Sequence, residues 1–427
     1  MNAIFDRFRC PEEFANARLA APSAAGRNGA GLEVFDPTPA VDNLRLERYV
    51  HGSHRAGSGD PASASMRVYN QFIRPFLPFA LRRRLQRIYF QHWDKIPFPQ
   101  WPVDFTVENL LEKALLLLMK ADGVDAIPFI WFWPDGAPSA AMVTHDVETT
   151  AGRDFCGEVM DMDAAFGIPS AFQIIPESRY SVSPEFLDAI RRRGHEINVH
   201  DLHHDGRLFA DHNRFRSQVQ LINQYGRDFR ARGFRSGVLY RNVKWFDELE
   251  FEYDMSVPNV GHLEAQRGGC CTVFPYFIGN ILELPLTTTQ DYTLFHILRK
   301  YDLDLWTKQA GAIMERHGLL SFVTHPDYLM ERRAQETYRD LLGFLAQRRD
   351  DHGMWIATPG EVNQWWRERS QMALVRHDGE WRIEGPGRER AQIAYATAAG
   401  GRIVYSLENG TACSNGSMTP AFTRSIS

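Results

Sequence analysis

The chain has 427 residues, enough for one large α/β domain with additions or for two domains. Its 44% hydrophobic and 24% charged residues are typical of a globular protein with a sizeable core. The 48 basic and 53 acidic residues give a net charge of −5, which does not indicate a nucleic-acid partner.

The cysteines and the apolar segments predict a cytoplasmic protein. Five cysteines are an odd number, and the adjacent pair Cys270 and Cys271 disfavours a regular disulfide framework. The first residues, MNAIFDRFRCPEEF, lack the apolar core of a signal peptide. The longest apolar runs, at 115–119 and 127–133, are too short to span a bilayer.

The N-terminal third is predicted to lie outside the main domain. Residues 1–65 are rich in Ala, Gly, Ser and Pro and predict a flexible segment without visible chemistry. Residues 66–137 predict a helical extension that packs on the following domain, with one helix from Val107 to Lys120.

A basic stretch within this extension has two interpretations. Leu81, Leu85 and Ile88 have helical spacing, and the segment from Arg82 to Arg87 is rich in arginine. Such a helix could make weak contact with an anionic membrane surface. The favoured interpretation is a helix that packs its apolar positions on the core and leaves its arginines in solvent.

Residues 138–370 alternate between predicted strands and helices. The strands are expected at 140–147, 170–176, 195–200, 233–237, 253–257, 280–287, 319–325 and 354–358. The helices are expected at 152–166, 184–193, 208–231, 303–317 and 331–349. This pattern predicts an α/β fold, a (β/α) barrel of about seven parallel strands, with a doubly wound open sheet as the alternative.

The pattern changes again after the predicted barrel. Residues 371–410 alternate apolar and polar residues around two turns, which predicts a small antiparallel β appendage. Residues 411–427 predict a disordered tail. Neither a Walker A sequence nor GxGxxG follows a predicted strand, which argues against nucleotide phosphate binding.

Two acids stand at the end of the first barrel strand, in AAMVTHDVE. Side chains two apart in a strand share a face, so Asp146 and Glu148 are expected side by side, with Val147 turned away. Two carboxylates at the carboxyl end of a strand suit a metal-assisted hydrolase, one as ligand and one as base. A solvated turn is the alternative from this segment alone.

Histidines follow the strand predicted at 195–200. His200 and His204 are four residues apart, so a single helical turn would bring both imidazoles to one side. Neutral imidazole is a common ligand for zinc and related ions. His203 is a rival partner, whereas His195 begins the strand and is interpreted as structural.

Four motifs in order resemble the NodB-homology polysaccharide deacetylases, carbohydrate esterase family four. They are THDVE (144–148), HDLHH (200–204), GFRSG (233–237) and FVTHPD (322–327), each at a predicted strand end. The resemblance covers about residues 138–366 and implies a distorted TIM-like barrel of the NodB-homology type. It also implies a metal-dependent hydrolase of N-acetyl bonds, with zinc as the cofactor and cobalt or nickel as alternatives.

The resemblance implies roles for three residues in the reaction. Asp146 matches the first acid of the family and would act as general base. Arg235 matches the arginine that orients this base, and His325 would be the general acid that protonates the departing amine.

The resemblance also implies a ligand set, with one departure from the family pattern. His200 and His204 would bind the metal. The family usually has a ligand Asp where this chain has Val147, but some relatives have an Asp-x-Asp spacing, which Glu148 fits. If Glu148 is not the ligand, Asp146 must bind the metal and the base is missing.

Three further acids are candidates for supporting or substrate-facing positions. Asp254 lies in a strand where relatives carry an acid that faces the site. Glu283 could line the mouth of the barrel or be a buried acid at a strand end, and Asp327 could tune His325 or cap the next helix.

The expected function is N-deacetylation of a carbohydrate, with a lipid-linked cytoplasmic sugar intermediate as one option. Two alternatives stay open: a glycan-binding or scaffold relative with an impaired site, and a hydrolase of a small non-sugar amide. The missing motif proline after Arg235 and the presence of Val147 motivate the binding alternative. The sequence predicts no oligomeric state.

Overall fold

A computed structural model describes residues 2–11, 14, 36–52, 79–264 and 268–408. Most of the predicted flexible segment 1–65, the beginning of the predicted extension 66–137, and the whole predicted tail 411–427 lie outside the described residues.

The described part of the chain is an α/β protein. Its strands are β1 Ala126–Ile130, β2 Ala140–Val147, β3 Ser170–Ile174, β4 Glu196–His200, β5 Gly233–Arg235, β6 Tyr253–Asp254, β7 Tyr276–Ile278, β8 Ile281–Glu283, β9 Leu319–Thr324, β10 Trp355–Ile356, β11 Ala373–His377, β12 Glu380–Glu384, β13 Ile393–Ala399 and β14 Arg402–Leu407. Its helices are α1 Ala3–Phe8, α2 Thr38–Arg45, α3 Arg48–Gly52, α4 Phe79–Tyr89, α5 Thr106–Asp122, α6 Thr150–Ala165, α7 Pro184–Arg192, α8 His212–Asp228, α9 Asp304–Met314, α10 Arg332–His352 and α11 Pro359–Gln371, and a π-helical turn spans Thr293–Leu298.

A curled, mostly parallel sheet forms the centre of the fold and confirms the predicted distorted barrel. The strand order is β10-β2-β3-β4-β5-β6-β8-β7, with β9 also paired to β2. Every pair is parallel except β7 with β8 at the edge. The carboxyl ends of the parallel strands therefore meet on one side of the sheet.

Side chains rather than a backbone ladder bridge the remaining gap in the barrel. The Thr287 hydroxyl donates a hydrogen bond to the Leu319 carbonyl at 2.8 Å, and the Thr288 hydroxyl donates to the Ser321 carbonyl at 2.7 Å. The segment after β8 thus lies against β9, and the sheet curls nearly into a closed barrel.

The sequence explains why β2 lies at the centre of the sheet. Every residue of AAMVTHDV is buried, because the helices cover one face and the barrel interior the other. An aromatic layer precedes β2 in the chain and consists of three fully buried residues, Trp131, Phe132 and Trp133. The Trp133 indole donates a hydrogen bond to the His317 carbonyl at 2.6 Å, shortly before β9 begins.

The segment predicted as a helical extension also supplies a strand. β1 pairs antiparallel with β13, with Phe129 opposite Ala394, and β13 pairs with β14. The C-terminal appendage is therefore joined to the extension in a three-stranded sheet, while β11 and β12 form a separate hairpin. Periodicity missed β1 because a short apolar run can be either a strand or a buried helix.

The helix α4 is present but is oriented differently from the favoured expectation. Leu81, Leu85 and Ile88 are 42%, 37% and 55% exposed, so they do not pack on the core. The helix instead packs against the π-helical turn Thr293–Leu298. Among the described helices, none combines the length and apolarity needed to cross a bilayer.

Candidate metal centre and active site

The end of β2 carries the two predicted acids, and a third acid fixes the turn that follows. The carboxylate of Asp327 accepts a hydrogen bond from the backbone N–H of Glu148 at 3.1 Å and another from the Thr149 hydroxyl. Thr149 is also the N-cap of α6, because its side chain accepts from the N–H of Gly152 at 3.2 Å. Asp327 therefore orients the backbone of Glu148 rather than the imidazole of His325.

The two predicted histidines come together without the expected helical turn. His200 ends β4, and His204 lies in the following loop, where Asp201 and His204 have φ angles of 58° and 52°. The ring centroids of His200 and His204 are 4.7 Å apart. The left-handed backbone at Asp201 and His204 reverses the chain in place of a helical turn, which four-residue spacing alone could not reveal.

Asp201 fixes this loop to the neighbouring strand. Its carboxylate accepts hydrogen bonds from the N–H groups of Leu202 at 2.6 Å and Gly237 at 3.1 Å. Its own N–H donates to the Arg235 carbonyl at 2.8 Å. These bonds connect the loop that carries His204 to the segment that follows β5.

Glu148, His200 and His204 form a candidate metal centre. One ligand atom from each lies within 4.8 Å of the others, and His204 Nε2 is 3.0 Å from Glu148 Oε1. His200 Nδ1 lies 3.1 Å from the Arg235 carbonyl, which can only accept, so Nδ1 carries the proton. The buried Nε2 of His200 then presents a lone pair that no described residue engages in a hydrogen bond. This donor set fits a divalent cation.

Burial and neighbouring charges move the pKa values of these side chains in different directions. Burial lowers the pKa of His200 to about 4, against the attraction of Asp146. Burial also opposes charge on Glu148, but His204 outweighs it and holds the pKa of this carboxyl below its usual range. The pKa of His204 is raised, because Glu148 outweighs the effect of burial.

Asp146 has a different partner from Glu148. Arg235 donates to Asp146 Oδ1 at 2.6 Å, and the same guanidinium bonds to the Thr144 hydroxyl and the Met255 carbonyl. Asp146 Oδ2 lies 3.6 Å from His200 Nε2. Burial would raise the pKa of Asp146, but Arg235, His200 and His325 together lower it, so the carboxylate stays ionised.

His325 faces the two carboxylates and is held by an acid that the sequence did not reveal. Its Nδ1 lies 2.6 Å from Asp291 Oδ1, and its backbone N–H donates to Asp291 Oδ2 at 2.7 Å. Its Nε2 lies 3.6 Å from Glu148 Oε1 and 4.0 Å from Asp146 Oδ2. Although burial lowers the pKa of His325, Asp291 raises it to about 10.

Asp254 and Glu283 lie behind the site and do not line its cavity. Glu283 accepts from the N–H of Val257 at 3.0 Å, and Asp254 accepts from the N–H and hydroxyl of Ser256 at 2.8 Å each. Burial and the nearby Asp254 raise the pKa of Glu283 well above its usual value. Glu283 is fully buried, so of the two expectations it matches the buried strand-end acid and does not line the mouth of the barrel.

A cavity of about 1020 Å³ opens over these residues. Its wall includes Arg179, the rings of Tyr292 and Tyr328, and the buried carboxyl of Glu264. Burial raises the pKa of Glu264 to about 7, and the amide of Gln290 donates a hydrogen bond to it. The volume is at the upper end of the range of small-molecule sites, so an extended ligand fits.

The structure brings together the residues that the motifs singled out. Around this cavity it collects Asp146, Glu148, His200, His204 and His325, with Arg235 directly behind. His203 is separated from the cluster, since its Nδ1 faces Glu177 at 3.6 Å. Asp291 was missed, although a search for acids just beyond the strand predicted at 280–287 would have found it.

Comparisons with known proteins give matches only among solved structures. No protein-family model matches the chain, and no curated protein matches it. A candidate polysaccharide deacetylase from Mycobacterium smegmatis is 18% identical with a TM-score of 0.46, over 56% of this chain and 93% of that one.

Two further solved structures that match the chain are of proteins from Bacillus species. The peptidoglycan deacetylase PdaC from Bacillus subtilis is 12% identical with a TM-score of 0.34, over 53% of this chain and 90% of that one. A carbohydrate esterase family 4 pseudoenzyme from Bacillus anthracis is 13% identical with a TM-score of 0.33, over 53% of this chain and 65% of that one.

Proposed function

We propose that the protein is a metal-dependent hydrolase of N-acetyl amide bonds that acts on a carbohydrate. One observation carries the proposal. A three-donor cluster of Glu148, His200 and His204 lies within reach of an ionised carboxylate, Asp146, and an imidazole, His325. These are the ligand, base and acid that amide hydrolysis needs.

Glu148 and the two histidines would hold the cation, zinc in the first place and cobalt or nickel as alternatives. A bound divalent ion supplies Lewis acidity toward the acyl oxygen and makes a water molecule easier to deprotonate. Asp146 would stay outside this ligand set, since it does not belong to the three-donor cluster and its Oδ1 is engaged by Arg235. Oδ2 of Asp146 is then the atom that faces the reacting water.

The residues of this chain divide the proton transfers between them. Asp146 Oδ2 accepts a proton from the water whose oxygen attacks the acyl carbon. His325 Nε2 donates a proton to the amide nitrogen as the C–N bond breaks, which releases an amine and acetate. Asp291 holds the His325 ring by its Nδ1, so that the proton on Nε2 points toward the reacting atoms.

A carbohydrate substrate is supported by the cavity as well as by the motif resemblance. Tyr292 and Tyr328, with centroids 5.5 Å apart, present ring surfaces on which the C–H faces of a sugar can stack. Arg179, Glu264 and Gln290 supply polar groups for hydroxyls around the same space.

Metal content and acetate release test the proposal together. Purified protein loaded with zinc should hold a stoichiometric ion, and His200→Ala combined with His204→Ala should lose it. The loaded protein should release acetate from N-acetylglucosamine oligomers. If zinc, cobalt and nickel forms all bind these oligomers but release no acetate, the glycan-binding alternative replaces the hydrolase.

A further inference from the structure

The helix α4, Phe79–Tyr89, has an apolar face that the described part of the chain leaves uncovered. Leu81, Leu85 and Ile88 are spaced by four and three residues, so they lie above one another on one side of the helix. Their exposed fractions of 42%, 37% and 55% make them a continuous apolar stripe in solvent. Single exposed apolar residues are ordinary, but an aligned stripe indicates an interaction surface.

The opposite side of α4 belongs to the cavity. Gln86 and Phe90 line the cavity wall, and the Tyr292 hydroxyl donates a hydrogen bond to the Gln86 side chain. At 100° per residue, Gln86 lies roughly opposite the stripe. The helix therefore separates the cavity from whatever covers the apolar face.

The charge of this helix is entirely positive. Its sequence FALRRRLQRIY contains Arg82, Arg83, Arg84 and Arg87 and no acidic residue, and the side chain of Arg84 is exposed. Arg84 is four residues before Ile88 and so lies beside the apolar stripe. An apolar stripe beside an exposed cation matches the two layers of a bilayer surface, acyl chains and anionic headgroups.

Other occupants of the stripe are disfavoured by charge. A second copy of α4 would bring four more arginines against these four, and like charges oppose such pairing. Residues 53–78 of this chain would add Arg55, Arg67 and Arg74 against a single acid, Asp60. An anionic surface suits both the apolar stripe and the net positive charge of the helix.

We propose that α4 docks on an anionic lipid surface through Leu81, Leu85 and Ile88, and that this docking holds the cavity at the membrane interface. The interaction does not depend on hydrolysis, so it stands or falls separately from the proposed function. The helix α4 would then lie between the membrane surface and the cavity, with Gln86 and Phe90 on its cavity side.

Vesicle flotation tests the docking directly. The zinc-loaded full chain should float with vesicles of phosphatidylcholine containing phosphatidylglycerol, should not float with phosphatidylcholine alone, and should be released by high salt. Replacing Leu81, Leu85 and Ile88 together by Ser should weaken binding by about tenfold or more. The matched control, Leu221→Ser with Val404→Ser, removes exposed apolar residues elsewhere and should leave flotation unchanged.

A charge variant keeps the test interpretable if the triple variant folds poorly. Arg84→Gln should reduce binding by about fivefold, whereas Arg192→Gln should not. An environment-sensitive dye on Ile88→Cys should shift to the blue on anionic vesicles. Thermal unfolding and zinc content should stay at wild-type values in the charge variants.

Three results would overturn the docking proposal. The first is a wild-type chain that stays with the soluble fraction on anionic vesicles. The second is flotation that both α4 variants leave intact, which would move the contact elsewhere. The third is a wild-type dimer that the triple Ser variant dissociates without any lipid binding, which would assign the stripe to a second copy. Acetate release from soluble oligomers tells separately whether the hydrolase proposal survives.

Discussion

At the scale of residues, two carboxylates that are two positions apart have different neighbours. Asp146 forms an ion pair with buried Arg235, whereas Glu148 faces His204 at 3.0 Å and belongs to the three-donor cluster. The strand alternation placed both acids on one face, and their partners then separate their proposed roles. Val147 points into the hydrophobic core between them.

Replacing Asp146 by Asn tests this division. The amide keeps the size of the side chain but cannot accept the water proton, so acetate release should fall by about 10²–10⁴-fold. Zinc content should be retained, because the ligand donors are untouched. The comparison variant Glu148→Gln should instead lose zinc, as measured by elemental analysis after dialysis. Loss of zinc from Asp146→Asn with retention in Glu148→Gln would reverse the assignment.

Introducing an acid at position 147, where the deacetylases that the motifs resemble usually have one, should not help this protein. Val147 is fully buried in the core, so Val147→Asp would place a carboxylate among apolar side chains without a partner. We expect a loss of about 3 kcal/mol or more in the free energy of unfolding, measured by urea denaturation. Val147→Ala supplies the matched loss of volume without the charge. If Val147→Asp proves as stable as Val147→Ala and binds zinc more tightly than wild type, this expectation is wrong.

Residue types and their order predicted most of this site, but not its supports. Acids and histidines just after apolar runs identify Asp146, Glu148, His200, His204 and His325, because parallel strands end on one side of a sheet. The sequence did not predict Asp291 and Asp201, because their roles depend on which loops lie together in the folded chain. Contacts between residues 34 positions apart, such as Asp291 with His325, leave no local periodicity.

At the scale of elements, the loop after β4 determines how the histidines meet. Strand bounds were predicted to within a few residues, since buried apolar runs define them. The loop conformation was not, because it depends on left-handed residues and on hydrogen bonds to the segment after β5. Gly237 is the critical position in that segment: a Cβ there would lie 2.3 Å from Asp201 Oδ2 and 3.1 Å from His204 Cδ2.

Replacing Gly237 by Ala should therefore weaken metal binding without touching a ligand. The added methyl group displaces the Asp201 carboxylate and with it the loop that carries His204. We expect zinc affinity, measured by competition with a chromogenic chelator, to fall by about 10–100-fold. Gly157→Ala is the control, since a Cβ there meets nothing within 4 Å. Equal affinities in the two variants would show that the loop does not position His204.

At the scale of the whole molecule, the C-terminal sheet and the barrel share a buried histidine. The His317 ring lies 4.9 Å from Trp131, which follows β1, and 5.8 Å from Tyr405 in β14. Its Nδ1 lies 2.9 Å from the Pro138 carbonyl, so the neutral ring donates there. The sequence predicted a separate appendage because the pairing of β1 with β13 joins segments far apart in the chain, such as Phe129 with Ala394.

The buried His317 makes the free energy of unfolding depend on pH in a defined direction. Burial lowers the pKa of His317 from its usual 6.5 to about 4. Between these values the unfolded chain binds a proton that the folded chain does not, so the folded state loses stability as pH falls through this window. The contribution is fully present above pH 6.5, and up to about 3 kcal/mol is lost by pH 4.

The replacement His317→Asn isolates this contribution. Asn tolerates the φ of 58° at this position but has no titrating group, so the variant should be less stable than wild type at pH 7 and show a shallower loss toward about pH 4.5. Urea denaturation of both proteins in the presence of chelator measures the two slopes and removes the metal contribution. The exposed His352→Asn is the control and should keep the wild-type slope. Parallel curves for His317→Asn and wild type would mean that the ring becomes protonated in place, and that the contact between sheet and barrel tolerates the charge.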